Sequence, residues 1–249
     1  MIRAIDHIVI LVNDLQAAID DYAALGFSVA PGGTHADGAT HNALIIFADD
    51  TYLELIAFLR EAPTHYWWRH VAPGEGLIDY ALLPSAIADD VAAARGRGLA
   101  LDGPHDGGRL RPDGVRVAWQ TARPLAPGLP FLCGDVTPRE LRVPGGALRQ
   151  HPNGATGIAA VAVAAADLRA TTADYAALLG PPAFGNTFPL GAGAITIQAA
   201  ALDSIADPVR HQIKWRGPGP FALALHGSAT ATLPLSRTHG VAMHIIREA

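Results

Sequence analysis

Two stretches of the chain repeat one helical phrase at a fixed spacing. DLQAAIDDYAALG begins at Asp14 and DLRATTADYAALLG begins at Asp167, so the offset is 167 − 14 = 153 residues. At that offset the residues of the first copy that meet identical partners are Asp14, Leu15, Ala17, Asp21, Tyr22, Ala23, Ala24 and Leu25. Chance repeats of Ala and Leu are expected in an alanine-rich chain, but Asp and Tyr repeated at one spacing are not. The repeat therefore predicts copies of one structural unit, with a period far longer than that of a solenoid.

The first copy has the pattern of one helix among four strands. Residues 4–12 are rich in β-branched side chains, as in a buried strand, and a capped helix with one apolar stripe follows. Residues 41–47 and 52–58 have the pattern of two strands joined by a turn. A further short strand is expected within residues 27–30. The predicted order of the unit is therefore β-α-β-β-β.

The same order recurs later in the chain. Residues 77–83 resemble a strand and residues 85–98 a helix, with Ser85 as its predicted cap, and two strands follow a Gly- and Pro-rich stretch. The third copy begins near residue 154, and a helical piece is expected near residues 204–212. The predicted divisions are residues 1–135 as a first pair of βαβββ modules (1–58 and 77–135), 136–153 as a linker, and 154–249 as a third module plus a degenerate fourth.

Composition excludes several classes of protein. Half of the residues are hydrophobic and 16% are charged, below the usual share of about 25%, which favours a compact globular chain. A net charge of −5 gives no reason to expect a nucleic-acid or anionic-membrane partner. Cys133 is the only cysteine, so no intrachain disulfide forms. The N-terminus lacks a signal-peptide pattern and no apolar run is long enough to span a bilayer, so we expect a cytoplasmic protein without a membrane partner.

Five stretches of the chain carry a family resemblance: IDHIVILVNDL, PGGTHADGATHNALIIF, TYLELIAF, RLRPDGVRVAW and QHPNGATGI. Together they resemble the vicinal oxygen chelate superfamily, which includes glyoxalase I, extradiol dioxygenases and the bleomycin resistance proteins. Within it, the chain is most similar to bacterial glyoxalase-like domain proteins. The resemblance implies an α+β fold in which repeated βαβββ modules form curved half-barrel sheets with helices outside. It does not select a reaction, because one fold supports several chemistries.

The resemblance also implies a divalent metal ion, held by residues on the first and last strands of the modules. In this sequence those positions are His7 and Glu54. Alternation along the strands agrees, because His7 and Glu54 can both point to the interior face. Glu54 is the more informative residue, since a carboxylate in the apolar stretch YLELIAF is costly to bury unless it is paired, hydrogen-bonded or metal-bound. Glu54 is also the predicted catalytic residue.

The other modules do not complete such a site. In the second module the corresponding positions fall on Asp79 or Tyr80 and near Cys133, and in the third the His7 position falls on Ala160 (7 + 153). His41 is therefore predicted as the third ligand, giving two histidines and one carboxylate, a set that suits Fe(II), Mn(II), Ni(II) or Zn(II).

His35 is a spare candidate, for which a solvent-facing position in a loop is the plainer interpretation. Each ligand also has an interpretation without a metal: a hydrogen-bonded core residue for His7, a pocket wall or turn cap for His41, and an arginine pair with Arg109 or Arg116 for Glu54.

Substrate contacts are predicted for Asn42, Tyr52, Trp119 and Phe131. The aromatic stretch HYWWRH at residues 65–70 is expected either as a short capped helix or as a lid over a pocket. Two functions stay open. One is a metal-dependent glyoxalase-like enzyme that acts on a small oxygenated molecule by isomerase, lyase or ring-cleaving dioxygenase chemistry. The other is a metal-free protein that binds or sequesters a small molecule, as bleomycin resistance proteins do. A homodimer is one alternative for the assembly, because superfamily members often pair modules across chains.

Overall fold

A computed structural model describes residues 1–111, 113–200 and 207–248, and within them the chain forms two curved sheets with helices outside. The strands of the first sheet are β1 (Ala4–Leu11), β2 (Ala30–His35), β3 (Thr40–Ile46), β4 (Tyr52–Phe58), β5 (Gly76–Leu83), β6 (Leu101–Leu110), β7 (Arg116–Pro124) and β8 (Phe131–Asp135). Those of the second sheet are β9 (Ala155–Ala165), β10 (Thr187–Leu190), β11 (Gly193–Ala199), β12 (Gly219–Gly227), β13 (Ala231–Thr232) and β14 (Ala242–Arg247). The α-helices are α1 (Leu15–Ala24), α2 (Ile87–Gly96), α3 (Arg139–Arg142), α4 (Leu168–Leu179) and α5 (Pro208–Arg216). The predicted α+β fold of curved sheets is confirmed.

The first sheet closes into a barrel with the strand order β1-β4-β3-β2-β6-β7-β8-β5. β1 pairs parallel with β4, β5 pairs parallel with β8, and β1 and β5 run antiparallel at the junction of the two modules. Closure on the far side depends on two residue pairs between β2 and β6, Thr34 with Leu110 and His35 with Arg109. The two half-barrels therefore form one enclosed interior, whose wall includes the end of β2.

In the barrel, the sequence pattern misplaces β2 and does not predict β6 as a strand. A short strand is predicted within residues 27–30, but β2 begins at Ala30 and runs through APGGTH, and β6 has the sequence LDGPHDGGRL. Glycine and proline are depleted in strands, so both stretches predict turns. Tertiary contacts override that preference: a Cβ at Gly32 would lie 1.9 Å from Oδ1 of Asn42, so only glycine lets the Asn42 side chain occupy this place.

The second sheet repeats the pairing of the first. Its order is β10-β11-β9-β12-β14-β13, with β9 parallel to β11, antiparallel to β12, and β12 parallel to β14. These pairings correspond to those of β1 with β4, β1 with β5 and β5 with β8. The topology is consistent with a third module and an eroded fourth, and the domain boundaries stay a prediction. The helical piece predicted near 204–212 corresponds to α5, and its residues 204–206 lie outside the described residues.

The repeated phrase forms equivalent helices that join the two halves. Asp14 and Asp167 are the N-caps of α1 and α4, and each accepts hydrogen bonds from backbone N–H groups of the first turn. The Tyr22 hydroxyl donates to the Thr238 carbonyl (3.1 Å), which lies in the second half. The Tyr175 hydroxyl donates to the Gly128 carbonyl (3.0 Å) in the first half. The repeated tyrosine therefore links one half to the other in both copies.

One expectation about local structure changes. Ser85 does not cap α2: the N-cap is Ala86, and Asp90 accepts the Ser85 backbone N–H instead (2.9 Å). The predicted linker, residues 136–153, contains α3 and a 3₁₀ helix, Gly146–Arg149, and its role as a boundary stays a prediction. The crossing is fixed by buried His151, which accepts from the Ser28 N–H (3.0 Å) and bonds the Ile46 carbonyl (3.0 Å). The segment that joins the two halves is therefore part of the structure.

The connection from β4 to β5 carries a 3₁₀ helix, Tyr66–His70, capped by the His65 side chain. Arg216 of α5 holds the end of this connection by donating to the carbonyls of Gly74 (2.8 Å) and Glu75. His70 is buried, and burial together with the neighbouring Arg69 lowers its pKa to about 4. His70 is therefore a neutral, buried side chain in a segment that connects the barrel to the second half.

Substitution of Tyr175 by Phe is expected to lower the free energy of unfolding by about 1–3 kcal/mol, because the buried Tyr80 hydroxyl, 2.5 Å from that of Tyr175, then has no partner. Tyr80→Phe is the matched control, since Tyr175 keeps its bond to Gly128 and the loss is expected to be smaller. Urea unfolding monitored by circular dichroism measures both. Equal losses in the two variants would contradict this account.

The second prediction concerns acid stability. Between about pH 6.5 and pH 4 the unfolded chain binds a proton on His70 and the folded chain does not, so the free energy of unfolding falls as the pH drops through this window. His70→Gln removes that contribution and should lose less stability than the wild type between about pH 7 and about pH 5. His211→Gln, at an exposed position of α5, is the control and should behave as the wild type does. An unchanged pH dependence in His70→Gln would refute the assignment.

Candidate active site

The interior of the barrel holds a cavity of about 420 Å³, lined by residues of both modules. Its inner end is buried and contains His7, Glu54 and Cys133, whereas its outer end reaches solvent beside Asp37 and Tyr66. The volume lies in the range of small-molecule sites, about 300–1,000 Å³. The cavity is therefore the candidate site for a small ligand.

A buried carboxylate lies between two imidazoles at the inner end. Glu54, on β4, has one oxygen 3.5 Å from Nε2 of His7 and the other 3.5 Å from Nε2 of His35. The Asn42 amide on β3 donates to Oε1 of Glu54 at 2.6 Å. Sequence alternation places Asn42 and Glu54 on the interior faces of neighbouring strands, and barrel closure adds His35 from the end of β2. Three strands thus bring two histidines and one carboxylate together.

Both imidazoles are oriented through their other ring nitrogen. Nδ1 of His7 lies 2.7 Å from Oδ2 of Asp6, and Nδ1 of His35 lies 2.7 Å from Oγ1 of Thr40. Burial lowers the pKa of His35, and the negative charge of Glu54 offsets this only in part. The net effect favours the neutral form of the imidazole. A neutral imidazole whose Nδ1 is hydrogen-bonded presents Nε2 to a ligand, as metal-binding histidines do.

Asp6 is fully buried and is the centre of an ion-pair network that the sequence does not predict. Its carboxylate accepts from Arg142 at 2.7 and 3.3 Å and from Arg139 at 2.7 Å, besides His7. Burial opposes its charge, but Arg142, His7 and Arg139 outweigh burial and hold the pKa of Asp6 well below its usual range. Because Asp6 stays ionised, it can only accept, so Nδ1 of His7 carries the proton. A bulge in β1 between Ile5 and His7 makes room for this extra residue.

Two imidazoles and one carboxylate are a donor set that the divalent ions implied by the resemblance accept. Two ligands at about 2.1 Å from one tetrahedral ion lie roughly 3.4 Å apart, close to the two imidazole–carboxylate separations of 3.5 Å. Within residues 1–111, 113–200 and 207–248, no group of three or more His, Cys, Asp or Glu side chains has the geometry to hold a metal ion. His7, His35 and Glu54 therefore match such an ion in donor chemistry and in the two imidazole–carboxylate distances, but not as a complete three-residue geometry.

The structure does not bring His41, the predicted third ligand, into the cavity with His7 and Glu54, and His35 lies beside Glu54 instead. Thr40, Asn42 and Leu44 of β3 line the cavity, and His41 alternates with them and does not. His35 is also not a solvent-facing loop residue, because it ends β2 and its side chain is 16% exposed. No sequence signal marks His35, because its contact with Thr40 forms only once β2 and β3 pair as a hairpin.

The second module supplies neither a histidine nor an unpaired carboxylate at the inner end. Asp79 accepts from Arg123 (2.7 Å) and from the Trp67 indole (2.8 Å), so its charge is already compensated. Cys133 lines the cavity, and burial raises the pKa of its thiol to about 12, which keeps it neutral. In the second sheet, the register places Ala160 at the His7 position and Thr196 at the Glu54 position. The donor set is therefore confined to the first module.

All four residues predicted to contact substrate line the cavity: Asn42, Tyr52, Trp119 and Phe131. Two of them already have protein partners, because Asn42 bonds Glu54 and the Tyr52 hydroxyl accepts from Arg142 (2.8 Å). Trp119 and Phe131 present aromatic rings to the cavity. Their contact with substrate stays a prediction.

The aromatic stretch HYWWRH forms the predicted capped helical turn and also lines the cavity through residues 65–67. The Arg123 guanidinium lies over the Tyr66 ring at 3.5 Å from its centroid, and the Trp67 ring contacts that of Phe131. The two alternatives for this stretch, a short capped helix and a pocket lid, are therefore compatible, since one short helix supplies aromatic side chains at the outer end of the cavity.

Comparisons with known proteins agree with this architecture. A hypothetical protein from Staphylococcus aureus is similar over 98% of this chain and 99% of its own, with a TM-score of 0.75 and 13% identity. A variant of 4-hydroxymandelate synthase from Streptomyces coelicolor matches 95% of this chain and 78% of its own, with a TM-score of 0.58 and 16% identity. A xylose isomerase-like TIM barrel/4-hydroxyphenylpyruvate dioxygenase fusion protein matches 95% of this chain and 37% of its own, with a TM-score of 0.56 and 16% identity. Likeness at these identities concerns the fold alone.

Three further findings concern the sequence and the helices. No curated protein matches the chain significantly. Among the described residues, the helices are too short or too polar for any of them to cross a membrane. The model of the glyoxalase-like domain family matches residues 5–179, more than half of the chain. The chain therefore belongs to the glyoxalase-like domain family.

Proposed function

We propose that the protein is a metal-dependent enzyme that holds one divalent ion with His7, His35 and Glu54 and acts on a small oxygenated organic molecule. The observation that carries the proposal is one buried carboxylate whose two oxygens face the Nε2 atoms of two histidines inside a closed barrel. Fe(II), Mn(II), Ni(II) and Zn(II) accept such a set, which leaves open positions for a substrate. The proposal covers isomerase, lyase and ring-cleaving dioxygenase chemistry in the cytoplasm.

When bound, the ion would supply Lewis-acid chemistry by polarising a substrate oxygen. The residues of the chain would provide its setting. Asp6 keeps the His7 proton on Nδ1, and Asn42 orients the Glu54 carboxylate, which we propose as the catalytic residue. Trp119 and Phe131 would hold the substrate and exclude water from it.

A second candidate is a metal-free protein that binds or sequesters a small molecule. Two observations favour it. Glu54 already accepts a short hydrogen bond from Asn42, and no preformed metal cluster occurs in the described part of the chain. The same cavity would then hold an apolar ligand between its aromatic rings. The metal-binding experiment below separates the two candidates.

Metal binding is tested by elemental analysis after incubation of chelator-treated protein with Fe(II), Mn(II), Ni(II) or Zn(II). The wild type is expected to retain about one ion per chain. His7→Ala, His35→Ala and Glu54→Gln should each lose it, because each removes one donor. His41→Ala is the matched control and should retain the ion. Absence of metal from the wild type, or loss in His41→Ala with retention in His35→Ala, would overturn the proposal.

The role of Asp6 gives a further prediction. Asp6→Asn is expected to weaken metal binding about 10- to 100-fold, because the carboxylate that orients His7 is lost. Asp135→Asn is the matched control: Asp135 bonds the same two arginines, Arg139 and Arg142, but does not touch His7. Calorimetric titration with Zn(II) measures the affinities, and thermal melting reports the integrity of each variant. Equal weakening by both variants would mean that Asp6 acts only through the arginines.

A further inference from the structure

Arg109 differs from the other arginines of the cavity in what holds it. Arg109 is 5% exposed, and its guanidinium donates hydrogen bonds to the carbonyls of Gly32 (2.6 Å) and Arg142 (3.4 Å). Arg123 pairs with Asp79, and Arg142 pairs with Asp6 and Asp135. Among the residues that the structure describes, no carboxylate forms an ion pair with Arg109. Arg109 is therefore a buried cation held by neutral oxygens.

The position of Arg109 relates this cation to the proposed metal ligands. Arg109 is the register partner of His35 across the β2–β6 closure, and both line the cavity. Burial lowers the pKa of Arg109, and Tyr52 and Glu54 act in the opposite direction, although neither forms an ion pair with it. Glu54 is the carboxylate of these two groups. A divalent ion on Glu54 would use that negative charge and leave the cavity net positive beside Arg109. A buried uncompensated cation is unfavourable, so the occupied site favours an anionic ligand.

The shape of the cavity restricts the anion. One planar guanidinium fork matches the two oxygens of one carboxylate, and no lysine lines the cavity to add the charge that a phosphate would require. The rings of Trp119, Phe131 and Trp67 supply flat apolar walls. The ligand that satisfies both features has one carboxylate on a flat, unsaturated body.

We propose that the substrate of this cavity is a small aromatic or unsaturated carboxylate whose carboxylate group is bound by Arg109. The inference deepens the proposed function and rests on it for the reaction, although carboxylate binding can be measured without turnover. Arg109 is then a substrate-binding residue, and the oxygens that react lie between it and the His7, His35 and Glu54 set.

Benzoate is the probe, and benzamide is its neutral isostere. Calorimetry on Zn(II)-loaded wild type should show benzoate binding and much weaker benzamide binding. Arg109→Gln should weaken benzoate about 30-fold or more, because a buried charge pair is lost. Arg109→Lys keeps the charge without the fork and should give a smaller loss. Arg116→Gln, an exposed arginine of β7, is the control and should bind as the wild type does. A merely structural role of Arg109 would change benzoate and benzamide binding alike, and that result would overturn the inference.

A second measurement separates this inference from the proposed function. In metal-free Glu54→Gln protein, the charge that compensates Arg109 is removed, so benzoate binding that depends on Arg109 should persist. Metal absent from the wild type, with benzoate binding intact in Glu54→Gln and lost in Glu54→Gln/Arg109→Gln, would refute the metalloenzyme and support the carboxylate site. Metal bound at His7, His35 and Glu54, with benzoate binding no tighter than benzamide binding in the wild type, would support the metalloenzyme and refute the carboxylate site. The comparison of the two probes on the wild type needs no variant to fold.

Discussion

Glu54 places a carboxylate inside an apolar barrel, and much of the surrounding structure follows from satisfying that charge. Asn42 donates to it, and the Asn42 side chain occupies space that only a glycine at position 32 leaves free. His7 and His35 face its two oxygens. An unpaired carboxylate at this depth would be neutralised or would destabilise the fold. The residues of four strands are therefore mutually dependent, and a change in one alters the others.

A second set of charged residues lies behind Glu54 and its two histidines. Asp6 orients His7, and Arg142 and Arg139 hold Asp6 ionised. Both arginines lie in the segment between the halves, so what the sequence presents as a linker completes the inner end of the cavity. Every charge in this layer has a partner of opposite sign. Arg109 stands apart because its contacts are carbonyls, and that contrast points to an anion as the missing partner.

The two halves share their strand pairings and their tyrosine contacts, but not the side chains of the candidate site. Tyr22 and Tyr175 come from the same position of the repeat, and each reaches from its own half to the other. The strand pairings of the second sheet repeat those of the first, yet Ala160 and Thr196 stand where the first module has His7 and Glu54. Helix packing and the tyrosine contacts need the repeated phrase in both copies. The second sheet therefore keeps these contacts without a histidine or a carboxylate at the two equivalent positions.

By itself, the sequence determined the fold class and the family through the stretches that resemble known members, and it determined β4 to the residue through a local apolar pattern. The sequence also predicted His7 and Glu54 as site residues, through the resemblance and because a carboxylate in an apolar strand is costly to bury. The tertiary structure alone decided which other histidine lies beside Glu54. β2 and β6 are rich in glycine and proline, and they pair only because barrel closure supplies their partners. That pairing, and not any local pattern, brings His35 and Arg109 into the cavity, whereas the alternation along β3 keeps His41 out of it. Asp6 and Arg142 are likewise far apart in sequence, and only the folded linker brings their charges together.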